Sequence, residues 1–123
     1  MKDAIIIIVI ISLVAFGNFF SQNILKKDSD ILIEKLEKLR DELYQENANQ
    51  MISEIYDLWE ETEKKWSMIV SHQELDLIKT SVIGAKSGIE SGDLNYSYEQ
   101  IESSIFLIGH IKEKTTIKWK NVF

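Results

Sequence analysis

Cysteine and proline are absent from this chain of 123 residues, and glycine occurs only five times. Without cysteine there is no disulfide, no thiolate nucleophile and no thiolate metal site, and the redox compartment stays undetermined. The lack of proline and the scarcity of glycine favour long uninterrupted helices and disfavour a sheet protein. The composition therefore indicates an all-α protein.

The sequence motifs of common catalytic sites are also missing. The chain has no phosphate-binding glycine loop, no dinucleotide fingerprint, no nucleophile elbow, no His-Glu-x-x-His and no calcium loop. We therefore expect a protein that is not an enzyme, and the sequence indicates no catalytic residue, no cofactor and no small-molecule substrate.

Charge is unevenly distributed along the chain. Between Asp28 and Ile111 there are eighteen acidic and seven basic residues, whereas residues 112–123 hold four lysines and one glutamate. An acidic body is repelled by nucleic acid, so the sequence predicts no nucleic-acid partner. The residues outside the N-terminal segment suffice for one domain of about 95 residues with a modest core.

Residues 4–20 form a nearly unbroken apolar run without a formal charge. Seventeen helical residues extend about 26 Å, close to the ~30 Å hydrocarbon core of a bilayer. No other window of the chain resembles this run. It predicts that residues 1–23 are an uncleaved transmembrane anchor on a single-pass protein of the cell membrane, with residues 4–20 in contact with the lipid bilayer.

Two questions about this segment stay open. The small residues of Ala15-Phe16-Gly17 have the spacing that a signal peptidase accepts, so a bundle secreted after cleavage near Gly17 is the alternative. Phe19 and Phe20 instead favour an anchor, because aromatic residues suit the membrane interface. Lys26 and Lys27 favour a cytoplasmic domain, but the short N-terminus and the acidic body favour an extracytoplasmic one, which we expect.

Apolar residues after the anchor recur in steps of three and four, the spacing of amphipathic helices. Turns are predicted over residues 45–50 and at Ser91-Gly92-Asp93, with Gly92 as a left-handed C-terminal cap. The second helix is expected to end near Ser71-His72 and the fourth near His110, and a capping box at Ser97 and Gln100 is one possible start of the fourth. We call the row of residues that faces the core of the bundle the seam of each helix. From the first helix to the fourth, the predicted seams are Leu25, Leu32, Leu36, Leu39, Leu43; Ile52, Ile55, Trp59, Thr62, Trp66, Ile69; Leu75, Ile78, Val82, Ala85, Ile89; and Leu94, Tyr98, Ile101, Ile105, Ile108.

Four such helices with short turns predict an antiparallel four-helix bundle over residues 24–112. A coiled-coil dimer built on the first two helices is the alternative, although neither seam lasts beyond about three heptads. In the bundle, the fourth helix returns toward the anchor. The basic and aromatic tail, residues 113–123, is then expected close to the bilayer, or else packed as a strap over the end of the bundle.

Few side chains suggest a site. Trp59 and Trp66 share the apolar seam, so we interpret them as core. His72, Glu74 and His110 are weak candidates for a metal or proton-sensing site, because both histidines are expected at helix C-termini at the same end of the bundle. The expected membrane-interface residues, which combine lysine with aromatic side chains, are Lys112, Lys114, Lys118, Trp119, Lys120 and Phe123.

Several short motifs in order resemble the domain-of-unknown-function family 4363. They are the isoleucine-rich anchor, the tryptophan-containing helix up to Trp66, then His72-Gln73-Glu74, His110-Ile111 and the closing Asn121-Val122-Phe123. The resemblance covers essentially the whole chain, with Val122 where isoleucine is more typical. It implies a small membrane-anchored helical protein of spore-forming Gram-positive bacteria, and it implies no activity and no functional residues.

The sequence therefore predicts a membrane-anchored helical interaction module, displayed outside the cytoplasm, that binds a membrane or envelope protein. The alternative is a bundle that senses a small solute or metal through its membrane-proximal end. The identity of the partner and the oligomeric state do not follow from the sequence.

Overall fold

The structure is a computed structural model that describes residues 1–122, with side chains for residues 1–114. Its elements are four α-helices: α1 Lys2–Asp41, α2 Ala48–Trp66, α3 His72–Ser91 and α4 Leu94–Val122. Helix α1 contacts α2 and α4, and α3 contacts the same two helices, whereas the diagonal pairs make no close backbone contact among the described residues. This arrangement confirms the all-α, antiparallel four-helix bundle.

Helix α1 is one continuous helix of 40 residues. At about 1.5 Å per residue it is about 60 Å long, and it crosses the predicted boundary at residue 23 without a break. Its N-terminal part contains a window of 18 residues with a mean hydropathy of 2.5, none of which is buried. This helix is long and apolar enough to cross a membrane.

The predicted seams of the first three helices form the core of the bundle. All the predicted seam residues of α1 and α3 are buried, and so are those of α2 except Ile69. Ser29 is also buried and occupies the seam position between Leu25 and Leu32. Trp59 and Trp66 are fully buried and stack edge to face with ring centroids 5.8 Å apart, which confirms that they pack in the core.

The predicted seam of α4 is wrong at Tyr98, whose side chain is 47% exposed. The neighbouring Ser97 is buried instead and donates a hydrogen bond of 3.1 Å to the Ala85 carbonyl of α3. The capping box at Ser97 is wrong for the same reason. Asp93 caps α4, since its carboxylate accepts a 3.1 Å hydrogen bond from the backbone N–H of Tyr96.

Small residues allow α3 and α4 to pack closely. A Cβ atom on Gly88 would lie 2.1 Å from the Ser97 hydroxyl, and one on Gly84 would lie 3.0 Å from the Gln100 side chain. Ser81 and Ser103 also approach across this interface, with 3.2 Å between their hydroxyl oxygens. The Ser97 hydroxyl therefore occupies the space that a side chain at position 88 would need, so the close approach of α3 and α4 depends on Gly88.

Helix ends agree with the sequence in part. Gly92 has a φ of 81° and caps α3 as predicted. The predicted end of the second helix at Ser71-His72 is wrong, because α2 ends at Trp66 and Ser71 already caps α3 by accepting a 3.3 Å hydrogen bond from the Glu74 N–H. The predicted end near His110 is also wrong, since Ile111 continues the buried seam and α4 extends to Val122.

Candidate functional site

The two ends of the bundle differ in what they expose. We call the end at which the apolar part of α1 enters the anchor end; it also holds the α2–α3 turn, residues 67–71. The opposite end, with the turns at residues 42–47 and 92–93, is the far end. In the described core, the Ser29 hydroxyl and the Trp59 indole N–H have no hydrogen-bond partner. The candidate sites lie at the two ends of the bundle.

Asp28 joins α1 to the end of α2 at the anchor end. Its side chain is 12% exposed, and its carboxylate accepts a 3.2 Å hydrogen bond from the Trp66 indole N–H. The Lys65 ammonium lies 3.1 Å from the same carboxylate. The buried tryptophan therefore has its polar atom satisfied by α1, which fixes the end of α2 against the base of the bundle.

Two further ion pairs involve α4 at this end. Lys112 pairs with Asp30 of α1, and the Lys114 ammonium lies 3.3 Å from the Glu74 carboxylate of α3. Together with the Asp28 contacts, they connect all four helices. Since α4 is antiparallel to α1, the ten steps from Lys112 to Val122 advance the helix by about 15 Å, which brings Val122 to the level of Phe20.

The structure does not gather the weak metal candidates into one site. His72 is the first residue of α3 and His110 lies inside α4, so the prediction that both stand at helix C-termini is wrong. His110 is exposed and stacks on Phe106 of its own helix at 6.3 Å. Glu74 is engaged by the Ser71 hydroxyl at 3.2 Å and by Lys114. Residues 1–114 contain no group of three or more potential metal ligands.

An open cleft of about 370 Å³ lies at the anchor end. Its α1 wall includes Asn18, Ser21, Gln22 and Leu25, and the opposite walls come from the α2–α3 turn, the start of α3 and α4. Among the residues whose side chains are described, Glu74 and Lys114 are the charged ones in its lining. The cleft thus combines neutral polar groups, aliphatic side chains and one carboxylate–ammonium pair.

The membrane-interface candidates fall into two groups. Lys112 and Lys114 are described, and both form ion pairs with residues of other helices. Lys118, Trp119 and Lys120 belong to α4, but their side chains lie outside the described ones, and Phe123 lies outside the described residues. Contact of the tail with a bilayer stays a prediction.

The far end carries exposed aromatic residues. Tyr44, in the α1–α2 turn, is 79% exposed, and Tyr96 and Tyr98, near the start of α4, are also exposed. The Arg40 guanidinium of α1 lies 2.6 Å from the carboxylate of Glu102, one helical turn after Tyr98 in α4. This hydrogen bond raises the pKa of Arg40. Three of the four tyrosines in the chain are thus exposed at one end.

Residues 19–122 match a family described as a domain of unknown function, DUF4363. The chain belongs to this family. The match confirms the resemblance drawn from the short motifs. No curated protein and no solved structure matches the chain.

The DUF4363 region contains every lining residue of the cleft except Asn18. Sequence reasoning missed the α1 side of this cleft, because Ser21 and Gln22 lie between the apolar run and the first seam residue and belong to neither pattern. Both residues lie within one helical turn of the seam residue Leu25, and this position was the feature of the sequence that could have indicated them. The missing information was that the α2–α3 turn and α4 approach this turn of α1.

Proposed function

We propose that this DUF4363 protein is a single-pass membrane protein whose bundle binds a membrane or envelope protein on the extracytoplasmic side. In this proposal, the N-terminal part of α1 spans the bilayer and its C-terminal part is one helix of the bundle. The partner contacts the far end, which is held at a set distance from the bilayer.

The continuity of α1 is the observation that carries the proposal. A fully exposed apolar helix is costly in water, because about 25 cal/mol is lost for each Å² of apolar surface left in contact with it. Insertion in a bilayer removes that cost. Since α1 runs unbroken from the apolar part into the seam, the proposed span and the bundle share one helix.

The far end is the part of the bundle suited to a protein partner. Tyrosine is enriched at protein interfaces, because its ring supplies apolar contact area and its hydroxyl makes a hydrogen bond. Tyr44, Tyr96 and Tyr98 are exposed there, away from the bilayer. Asp41, Glu42 and Asp93 surround the turns, so a partner with basic residues fits best.

Crosslinking in cells tests partner binding. A photoreactive amino acid at Tyr44 is expected to form an adduct with one membrane or envelope protein, and Tyr98→Ser is expected to reduce its yield. The same group at Thr80, exposed halfway along α3, is the matched control. Equal adducts from both positions, or none from Tyr44, would contradict a partner at the far end.

Reporter fusions test the side of the membrane. A reporter active only outside the cytoplasm and a second active only inside are each placed after Phe123. We expect activity from the outside reporter, because a strongly acidic body impedes export little. Activity from the inside reporter alone would move the search for a partner to the cytosol.

A further inference from the structure

We propose that the cleft at the anchor end binds the headgroup of one phospholipid that carries both a phosphate and a primary ammonium group. This inference rests on the membrane placement in the proposed function and goes beyond it. It assigns a ligand class to a cleft in which the metal candidates do not assemble.

The position of the cleft in the proposed membrane arrangement favours a lipid as its ligand. Its α1 wall begins at Asn18, inside the apolar run, and ends at Leu25, the first buried seam residue. If residues 4–20 span the hydrocarbon core, this wall lies at the depth of the headgroups. A ligand that enters the cleft from the side of the apolar run is therefore a lipid of the surrounding leaflet.

The charged residues that line the cleft favour a zwitterionic headgroup. Glu74 and Lys114 carry opposite charges 3.3 Å apart, so the described part of the lining presents a carboxylate and an ammonium side by side. A zwitterion complements the pair, because its ammonium donates to the Glu74 carboxylate while its phosphate accepts from the Lys114 ammonium.

Neutral groups complete the recognition. Ser21 and Gln22 of α1 line the same cleft and supply hydroxyl and amide donors for phosphate oxygens. Leu25, Val70 and Ile111 supply aliphatic surface for the glycerol and the first acyl carbons. The volume of about 370 Å³ lies within the range of pockets that hold small ligands.

The α2–α3 turn supports contact with the bilayer at this end. Met68 is almost fully exposed and Ile69, which lines the cleft, is 42% exposed. Two exposed apolar side chains in one turn are costly in water and favourable at the apolar edge of the headgroup layer. They bring the mouth of the cleft to the lipid surface.

Lipid retention by the full-length protein tests the proposal. The protein is placed in nanodiscs of equal parts phosphatidylethanolamine, phosphatidylcholine and phosphatidylglycerol, and lipids that remain bound are identified by native mass spectrometry. We expect one phosphatidylethanolamine to be retained over phosphatidylcholine by about tenfold, since a trimethylated ammonium has no N–H to donate to Glu74.

Two variants address the cleft independently. Glu74→Gln should remove the preference for phosphatidylethanolamine, and the amide oxygen of glutamine can still accept from the Ser71 hydroxyl. Ser21→Phe should abolish retention by filling the cleft while both charges stay in place. The matched control is Glu90→Gln, which removes the carboxylate of the 3.7 Å Lys86–Glu90 pair near the far end of α3 and should change nothing.

The outcomes separate this inference from the proposed function. No selective retention by a protein that inserts normally, or equal losses in Glu74→Gln and Glu90→Gln, would overturn the lipid site alone. Failure of the wild-type chain to enter nanodiscs would overturn both the span and the lipid site. Crosslinking from Tyr44 tests the partner separately and does not depend on the cleft.

Discussion

The two halves of α1 belong to one helix but have opposite surroundings. Leu13, in the apolar run, is 65% exposed, whereas Leu36, in the seam, is fully buried by other helices. In the first half, apolar residues occupy every face, so no row of neighbours could cover them. In the second half, the leucines form a single buried row, and this part of α1 packs against α2 and α4.

This difference shows that the spacing of apolar residues, more than their number, determines which surroundings a helix can accept. A helix with one apolar stripe is stable in water once that stripe is packed, and a helix apolar on all faces needs a protein interior or a bilayer. The distinction can be tested by changing the same type of residue in each half.

The largest difference is expected between alanine substitutions at two leucines. Leu36→Ala should lower the free energy of unfolding by about 2–5 kcal/mol, because it leaves a cavity in the core. Leu13→Ala should change it by less than about 0.5 kcal/mol, since no bundle residue packs on that position. Denaturant unfolding in detergent, followed by tryptophan fluorescence, measures both. Similar losses would show that the apolar run also packs against the bundle.

A charge in the apolar run should weaken membrane insertion without changing the stability of the bundle. Leu13→Arg should raise the cost of insertion by about 2.5–3.5 kcal/mol, while leaving the bundle as stable as before. The fraction of protein that resists carbonate extraction from membranes measures insertion. Leu13→Phe is the control and should remain inserted. Unchanged extraction of the arginine variant would mean that residues 4–20 do not span the bilayer.

At the junction between the two halves of α1, the stability of the bundle is expected to depend more on the Asp28 carboxylate than on that of Asp30. Asp28→Ala should cost about 1–3 kcal/mol, because the buried Trp66 indole N–H loses its acceptor. Asp30→Ala should cost about 0–1 kcal/mol, since its pair with Lys112 is exposed to solvent. Thermal unfolding by circular dichroism compares them. Equal losses would mean that the indole bond adds little.

The smallest effect concerns the return of α4 toward the apolar half of α1. In a domain lacking residues 1–23, deletion of residues 115–123 should leave the bundle folded, because the described seam ends at Ile111. Binding to anionic vesicles should weaken by up to about 1 kcal/mol for each lysine near the surface. Added salt should weaken the intact domain similarly, because charges are screened beyond about 10 Å at 0.1 M.

The opposite result would identify the tail as a strap. A deletion that unfolds the domain, in a protein whose vesicle binding is negligible before truncation, would show that residues 115–123 hold the bundle together. The second half of α1 would then need α4 beyond Ile111 as a packing partner.

Buried serines are the core residues that the spacing of apolar residues did not predict. Leucine and isoleucine rows predicted the packed faces of α1, α2 and α3, because burial of apolar surface is the main favourable term in folding. Ser29, Ser97 and Ser104 occupy buried seam positions that a search for apolar residues passes over. Tyr98 was predicted in the core for the same reason, whereas Ser97 is the buried residue and its hydroxyl occupies the space that a Cβ on Gly88 would need.

Local patterns in the sequence determined the apolar run, the helical seams and the left-handed turn at Gly92, because each depends on residues within a few positions of one another. The order of short motifs along the whole chain indicated the family. Tertiary structure alone decided that α1 continues unbroken from the run into the bundle, that Asp28 binds Trp66 and that Ser21, Glu74 and Lys114 surround one cleft. Those residues are dozens of positions apart, and only the packing of four helices sets the distances between them.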